Sequence, residues 1–215
     1  MSIVELPAAA VRTQLLLPLR FADGFGTTAR AFTFDGLADG REHLALGLGP
    51  SVTPADPGAG PPLVRMHSEC LTGDILGSER CDCGPQLREA VQRITEVGGY
   101  LLYLRQEGRG IGLYAKLEAY ALQDAGLDTY EANLALGYRE DARSYTVAAQ
   151  MLCALGLDRV ALLSNNPDKA HQLEALGITV TERVPTAVHL TPDNARYLAT
   201  KARRGAHTIT LPTTS

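Results

Sequence analysis

The sequence predicts an α/β fold in which a mixed β-sheet carries flanking helices and the N-terminal part is rich in strands. Short apolar or alternating runs, separated by Gly and Asp, fill the first 50 residues, and such runs are typical of strands. Beyond residue 62, segments with helical periodicity alternate with short apolar runs, which is typical of layered α/β architectures. Hydrophobic residues make up 45% of the 215 residues, enough to bury a sizeable core, so we expect a single compact domain over residues 1–215.

The N-terminal part is predicted to contain strands and one long loop. The predicted strands lie at residues 15–17, 29–34 and 43–48. Residues 51–62 are rich in Pro, Gly and Ala and show no periodicity, which predicts a surface loop. A further strand over residues 62–67 would end just before Glu69 and Cys70.

The remaining chain is predicted to alternate helices and strands. Pro85 suits the first turn of a helix that Gly98 ends. In the next predicted helix, the apolar residues Leu113, Leu117, Tyr120 and Ala121 share one face. The predicted helices cover residues 85–97, 113–125, 144–155, 167–176 and 193–203, and the predicted strands cover 100–104, 160–163 and 178–183. Residues 205–215 are expected to be a flexible tail.

Composition argues against several classes of protein. The net charge is −4 and the pI is near 5.7, so the chain lacks the basic footprint of a nucleic-acid-binding protein. No apolar run is long enough for a membrane helix, and the N-terminus lacks the basic region of a signal peptide. Three of the four cysteines are clustered, unlike a disulfide framework. We expect a cytoplasmic protein with no nucleic-acid or membrane partner.

The clustered cysteines indicate a metal site. Cys70, Cys81 and Cys83 have the spacing C-x10-C-x-C, and thiolates are soft ligands that favour zinc. Three protein ligands leave a fourth tetrahedral position for water, as in catalytic zinc sites. The alternatives are that Cys70 is a small buried hydrophobic residue, that Cys81 and Cys83 are incidental, or that His67 or another cysteine closes a structural site. Cys153 lies in an apolar helical run, where core packing is the expected role.

A glycine-rich segment at residues 105–112 joins a predicted strand to a predicted helix. Glycine allows the backbone to approach a ligand closely, and the helix N-terminus offers free N–H groups to an anion. Arg105 and Arg109 flank the turn and suit bidentate phosphate contacts. The segment is neither a Walker A loop nor a Rossmann fingerprint. A tight turn with solvated arginines explains the pattern equally well.

Three other polar turns are ambiguous when taken alone. Residues 164–169 lead into a helix with Pro167 at its first position, and Lys169 would by default be a solvated surface lysine. Asp141 could be a helix cap and Arg143 an exposed side chain, or both could belong to a site. Residues 128–133 could likewise be either an ordinary polar turn or part of a site.

Taken together and in order, these segments resemble GTP cyclohydrolase II, the family that opens riboflavin biosynthesis. The resemblance runs from about residue 41 to residue 207 and rests on VRMHSECLTGD, SERCDCGPQL, YLRQEGRGIGL, AYALQDAGLDTYEAN, LGYREDARSYTVAAQML, LLSNNPDK and ITVTERVP. Residues 1–40 match poorly. Bifunctional members carry a butanone-phosphate synthase domain ahead of this region, for which the chain has no room, so we expect a stand-alone form.

The resemblance implies a zinc- and magnesium-dependent hydrolysis of GTP. The products would be 2,5-diamino-6-(5-phosphoribosylamino)pyrimidin-4-one, formate and pyrophosphate. Zinc would be held by Cys70, Cys81 and Cys83. GTP would be contacted by Arg65, Met66, His67, Ser68, Glu69, Gln86, Glu107, Gly108, Arg109, Thr129, Ser164 and Lys169. The resemblance assigns the triphosphate and its magnesium to residues 107–109 and implies a homodimer.

Three further residues are implied in catalysis. Asp141 matches the family's proton acceptor, Arg143 its nucleophile, and Tyr120 a donor of a hydrogen bond or proton. A guanidinium stays protonated in proteins, so we expect Arg143 to clamp the α-phosphate instead.

Two other functions are compatible with the resemblance. One is a family member that opens the ring but retains the formyl group, and the presence of Tyr120 argues against it. The other is a non-catalytic guanine-nucleotide-binding or structural zinc protein. The retention of the three cysteines, Asp141 and Arg143 argues against this second possibility.

Overall fold

The computed structural model describes residues 6–50, 60–139, 141–195 and 198. Within these residues, seven strands form one sheet: β1 (Ala10–Arg20), β2 (Gly26–Asp35), β3 (Leu44–Leu48), β4 (Leu63–Ser68), β5 (Gly99–Leu104), β6 (Arg159–Leu163) and β7 (Thr179–Val184). Their order is β1-β2-β3-β5-β4-β6-β7. The pairs β1–β2, β2–β3 and β3–β5 are antiparallel, whereas β4–β6 and β6–β7 are parallel. The predicted α/β fold with a mixed sheet and a strand-rich N-terminal part is confirmed.

Helices occupy the segments between the later strands. The described α-helices are α1 (Cys83–Val97), α2 (Leu113–Asp124), α3 (Thr129–Ala135), α4 (Thr146–Ala154) and α5 (Pro167–Ala175). Two shorter elements precede α1 and α2, a π-helical turn at Leu71–Ile75 and a tight turn at Glu107–Gly110. In the part of the chain that the structure describes, no helix combines the length and the apolar character needed to cross a membrane.

The chain divides into two compact units. Unit 1 comprises Met1–His67, Arg88–Arg105 and Tyr145–Thr186, and unit 2 comprises Ser68–Leu87, Gln106–Ser144 and Ala187–Ser215. Unit 1 carries the strands, apart from Ser68 at the end of β4, together with α4 and α5. Unit 2 carries the π-helical turn, the Glu107–Gly110 turn, α2 and α3. The single domain expected over residues 1–215 stays a prediction.

The core of unit 1 consists of side chains from the sheet and from helices α4 and α5. Met66 on β4 and Leu102 on β5 are fully buried with Met151 and Leu152 of α4 and Leu173 of α5. Burial of each such side chain stabilises the fold by about 1.5–3 kcal/mol relative to exposure. This packing holds the ends of β4 and β5, from which the chain continues into unit 2.

The predicted strands and helices agree with the observed ones, with shifts at their ends. β1 has 11 residues where only residues 15–17 were predicted, because its polar positions hide the strand pattern. α1 begins at Cys83, two residues before Pro85, so the proline still lies in the first turn. The predicted helix over 193–203 is described only at residues 193–195 and 198. Residues 51–59 of the predicted loop and the predicted tail over 205–215 lie outside the described residues.

Helix α3 was not predicted, although the sequence carries its start signal. The Asp128 carboxylate accepts hydrogen bonds from the backbone N–H groups of Tyr130 and Glu131, at 2.8 and 2.9 Å. The Glu131 carboxylate in turn accepts one from the Asp128 N–H at 2.8 Å. This reciprocal capping box stabilises a helix N-terminus, and its D-x-x-E pattern is visible in the sequence.

Candidate active site

Three cysteine sulfurs converge in unit 2. Cys70 follows β4, Cys83 is the first residue of α1, and their Sγ atoms and that of Cys81 all lie within 4.8 Å of one another. The Cys70 and Cys81 sulfurs are 3.6 Å apart, and none of the three is in a disulfide. Tetrahedral zinc with Zn–S bonds of about 2.3 Å separates its sulfurs by roughly 3.8 Å. The number, type and spacing of these donors therefore fit zinc.

The backbone of the π-helical turn lies directly against these sulfurs. A Cβ atom on Gly73 would lie 2.8 Å from the Cys81 sulfur and 3.1 Å from the Cys70 sulfur, so a side chain has no room there. Asp74 makes two hydrogen bonds to the backbone of Cys70. Its carboxylate accepts one from the Cys70 N–H at 3.0 Å, and its own N–H donates one to the Cys70 carbonyl at 2.7 Å. The turn thus shapes the sulfur cluster through its backbone.

A buried lysine on α2 reaches the same cluster. The Lys116 ammonium donates to the Cys70 sulfur at 3.1 Å, to the Thr72 hydroxyl at 2.9 Å and to the Glu107 carboxylate at 2.8 Å. Lys116 and Glu107 are each only 8% exposed. Burial alone would lower the pKa of Lys116, but its hydrogen bonds to Glu107 and Cys70 raise the pKa above the usual value. Lys116 is therefore an ammonium at neutral pH.

The pKa values of the three cysteines shift in opposite directions. Hydrogen bonds from Cys81 and Cys83 lower the pKa of Cys70 far below its usual value, and Lys116 adds to this shift. The hydrogen bond to Cys70 raises the pKa of Cys81 to about 11 and raises that of Cys83 as well, because one thiolate opposes the formation of a second. The thiolate is the form of cysteine that binds a metal, and a bound divalent cation removes this mutual opposition.

Tyr120 lies one helical turn after Lys116 on α2. The guanidinium carbon of Arg80 lies 4.8 Å from the centroid of its ring, and the Lys116 ammonium lies 5.6 Å from it. Burial raises the pKa of Tyr120, and the positive charge of Lys116 only partly opposes that shift. The phenol therefore keeps its proton at neutral pH and can donate a hydrogen bond.

Asp141 and Arg143 form a bidentate ion pair. The Arg143 Nε atom donates to the two carboxylate oxygens of Asp141 at 2.9 and 3.1 Å, and its Nη2 atom donates to one of them as well. Burial favours the neutral acid, but the hydrogen bonds and the charge of Arg143 lower the pKa of Asp141 below its usual value. Both groups are charged at neutral pH, and the carboxylate fixes the direction of the guanidinium.

The Glu107–Gly110 turn lies beside this pair. The Arg109 carbonyl accepts a hydrogen bond from the Ala142 N–H at 3.1 Å. Arg109 has φ = 62°, the left-handed region that non-glycine residues rarely occupy, and it is the one such residue among those described. Strain of this kind is typical of functional sites. The guanidinium carbon of Arg109 lies 4.4 Å from the centroid of the Tyr130 ring.

Five of the predicted substrate contacts lie in unit 1. The Lys169 ammonium donates to the Met66 carbonyl at 2.7 Å and is buried, so its interpretation as a solvated surface lysine is wrong. Arg65 is also buried and donates to the Leu163 carbonyl at 3.0 Å. The others are Met66, with its side chain in the core, His67, stacked on Tyr103 with ring centroids 5.6 Å apart, and Ser164, which accepts from the Asn166 N–H at 3.0 Å.

The remaining predicted contacts lie in unit 2 with the cysteines. They are Ser68 and Glu69 between β4 and the π-helical turn, Gln86 in the first turn of α1, Glu107, Gly108 and Arg109 in the tight turn, and Thr129 at the start of α3. The Gln86 amide donates to the buried carboxylate of Asp82 at 2.6 Å. Cys153 is exposed on α4, so its predicted role in core packing is wrong.

Sequence reasoning missed Lys116. The apolar face predicted for α2 is not the face that the structure buries. Leu117 on the predicted face is 44% exposed, whereas the buried residues are Ala115, Lys116 and Ala119. A lysine can occupy a buried face when its ammonium finds acceptors, and hydrophobicity does not reveal such a position. One signal in the sequence could have pointed to Lys116 as a site residue. It lies four residues before the predicted site residue Tyr120, and this spacing places both on one side of a helix.

Comparison with known proteins identifies the family. The sequence profile described as GTP cyclohydrolase II matches residues 16–185. The chain belongs to the GTP cyclohydrolase II family. A protein from Psychromonas ingrahamii named GTP cyclohydrolase-2 is 46% identical over 94% of this chain and 98% of its own length. Another of that name from Azotobacter vinelandii is 54% identical, over 83% of this chain and 85% of its own length.

The chain is also similar to part of a longer protein. The riboflavin biosynthesis protein RibBA of Bacillus velezensis is 50% identical over 86% of this chain, which spans 46% of that protein. Membership of the GTP cyclohydrolase II family makes the chain an enzyme of that type, a hydrolase.

Proposed function

We propose that the chain hydrolyses GTP, opens the imidazole ring of guanine and releases formate and pyrophosphate. The product would be 2,5-diamino-6-(5-phosphoribosylamino)pyrimidin-4-one, and the reaction would be the first step of riboflavin biosynthesis. The observation that supports this most strongly is the cluster of three cysteine sulfurs within 4.8 Å, in a chain of the GTP cyclohydrolase II family. No fourth protein donor joins this cluster among the described residues, as an open catalytic site requires.

Cys70, Cys81 and Cys83 would hold the zinc. When bound, zinc supplies Lewis-acid activation of water for attack on C8 of guanine and on the formyl carbon. Tyr120 would donate a hydrogen bond or a proton to the opening ring, because its raised pKa keeps the phenol protonated. The guanidinium of Arg80 and the ammonium of Lys116 place two positive charges 4.8 and 5.6 Å from the centroid of its ring.

Arg143 would stabilise charge at the α-phosphate. Its guanidinium is protonated and is aimed by Asp141, which suits electrostatic stabilisation better than nucleophilic attack. Asp141, which is ionised at neutral pH, would be the proton acceptor and would also keep Arg143 oriented. Arg109 would bind the triphosphate with its magnesium through its guanidinium, and Gly108 would let the backbone of this strained turn approach the phosphates closely.

The other substrate contacts complete the proposal. They are Arg65, Met66, His67, Ser68, Glu69, Gln86, Thr129, Ser164 and Lys169. We further propose that the enzyme is a cytoplasmic homodimer, as the family resemblance implies.

Product analysis tests this function. The purified protein is incubated with GTP and magnesium, with and without a zinc chelator, and the products are identified by mass. We expect pyrophosphate and a pyrimidine that lacks the formyl carbon, both lost on chelation. A product that retains the formyl group would establish the truncated reaction instead. Intact GTP in a folded, zinc-loaded sample would contradict any hydrolytic function.

A matched pair of cysteine variants makes the test specific. Cys81→Ser removes a proposed zinc ligand, whereas Cys153→Ser changes an exposed cysteine on α4. We expect Cys81→Ser to lose formate release and Cys153→Ser to keep the wild-type rate.

A further inference from the structure

The three N–H groups of the Lys116 ammonium have three acceptors, two in the loop at residues 70–72 and one in the Glu107–Gly110 turn. The acceptors are the Cys70 sulfur at 3.1 Å, the Thr72 hydroxyl at 2.9 Å and the Glu107 carboxylate at 2.8 Å. An ammonium has three donors and no acceptor, so all of its hydrogen-bonding capacity is used here. One long side chain from α2 therefore ties the loop that carries the first cysteine to the Glu107–Gly110 turn.

Glu107 is engaged just as fully. One carboxylate oxygen accepts from the Leu71 N–H at 2.7 Å, and the other accepts from the Gly108 N–H at 3.0 Å and from Lys116. Leu71 follows Cys70 directly, so Glu107 fixes the backbone next to the sulfur while Lys116 fixes the sulfur itself. The side chain of Glu107 is 9% exposed, and both oxygens already point at protein donors.

We propose that Lys116 and Glu107 are positioning residues for the metal site, with Lys116 donating an N–H···S hydrogen bond to the Cys70 thiolate and Glu107 orienting both Lys116 and the Cys70 loop. The proposal rests on the proposed function to the extent that the three cysteines bind zinc. It gives Glu107 a different task from the magnesium and triphosphate contact that the family resemblance implies.

The physical basis is charge and direction at the sulfur. Three thiolates on a divalent cation leave a net negative charge, and a buried ammonium beside one of them offsets part of it. The hydrogen bond also fixes the Cys70 rotamer, so less conformational freedom is lost when a metal binds. Groups that orient metal ligands in this way typically change metal affinity by about 10- to 100-fold when removed.

The test measures metal binding rather than turnover. Lys116→Met keeps the length of the side chain and removes the N–H donors. Glu107→Gln keeps the shape and removes the charge, and Glu118→Gln, on an exposed part of α2, is its matched control. Zinc affinity is measured by competition with a chromophoric chelator, and the sulfur-to-cobalt charge-transfer band is recorded for each full-length variant loaded with Co²⁺.

We expect Lys116→Met to weaken zinc binding by about 10- to 100-fold. Its charge-transfer band should move to lower energy, because a thiolate without a hydrogen bond gives up electron density more readily. Glu107→Gln should shift both quantities in the same direction by less, and Glu118→Gln should match wild type. The band reports the electronic state of the sulfur, so a purely structural role of the lysine would not move it.

Two results would overturn the proposal. One is wild-type zinc affinity together with an unmoved band in Lys116→Met, or in Glu107→Gln if the first variant does not fold by circular dichroism. The other is a Glu107→Gln protein with unchanged zinc affinity but an altered magnesium dependence of GTP turnover. A wild-type protein that binds zinc through its thiolates but does not open GTP would refute the proposed function alone.

Discussion

Replacement of Gly73 by alanine should damage the metal site through steric contact alone. The new Cβ would lie 2.8 Å from the Cys81 sulfur and 3.1 Å from both the Cys70 sulfur and the Cys83 Cβ atom. Non-bonded heavy atoms prefer about 3.5–4.0 Å, so the closest contact is short by roughly 0.7–1.2 Å. The three neighbours are short side chains on anchored backbone, and they have little freedom to retreat.

The expected size of the effect follows from this overlap. Overpacking of this kind costs about 1–3 kcal/mol. A tenfold change in affinity corresponds to about 1.4 kcal/mol, so zinc affinity in Gly73→Ala should fall by roughly 5- to 150-fold if the cost is felt on metal binding. The sulfurs of a bound metal must sit within about 0.2 Å of their ideal distances, which leaves no room to absorb the displacement.

The assay compares Gly73→Ala with Gly77→Ala. Gly77 has φ = 68° and nothing within 4 Å of an added Cβ, so alanine there strains the backbone of the same loop without approaching a sulfur. Zinc per chain and zinc affinity by chelator competition are measured beside the thermal midpoint of each protein. Wild-type zinc affinity in Gly73→Ala, or an equal loss in both variants, would refute the steric reasoning.

Three further outcomes are expected. Tyr120→Phe should slow formate release by about 10²- to 10⁴-fold if the phenol is a general acid, and should leave zinc content unchanged; an unchanged rate would exclude that role. Arg143→Lys should keep measurable pyrophosphate release if the guanidinium is an electrostatic clamp, and complete loss in a folded protein would favour the nucleophile. Because the folded-state pKa of Asp141 lies below 3.8, its ion pair with Arg143 stabilises the fold above pH 3.8 and is lost only as the pH falls through that lower pKa. The ¹³C shift of the Asp141 carboxyl should therefore titrate below pH 3.8, and Arg143→Gln should raise its midpoint; a midpoint that does not move would show that Arg143 is not the cause.

The secondary structure was largely predictable from the sequence because it depends on local patterns. The apolar runs at β5 and β6 and the helical spacing in α1 and α4 predicted these elements to within a few residues. Helix α3 was not predicted because it is short and shows little helical periodicity, although the capping box at Asp128 signals its start. The choice of buried face on α2 could not be predicted, since burial of Lys116 depends on acceptors supplied by distant segments.

The candidate site was predicted as a set of residues but not as an arrangement. The motifs named Cys70, Cys81 and Cys83, and they named Asp141 and Arg143 separately. The bidentate pair of the last two and the hydrogen bond that links residues 109 and 142 appear only in the fold. Residue type alone predicted an exposed lysine at position 169 and a buried cysteine at position 153, and the structure shows the reverse. Their burial also depends on contacts that form only in the fold.

The sequence by itself determined the fold class, the chemical type of the metal donors and the family, because periodicity, residue chemistry and the order of motifs are all written along the chain. The tertiary structure alone decided that a glycine backbone lies against the three sulfurs and that Lys116 and Glu107 hold the first of them. These contacts join segments up to 46 residues apart, from Cys70 to Lys116. Such contacts depend on the path of the folded backbone, which no local pattern of residues specifies.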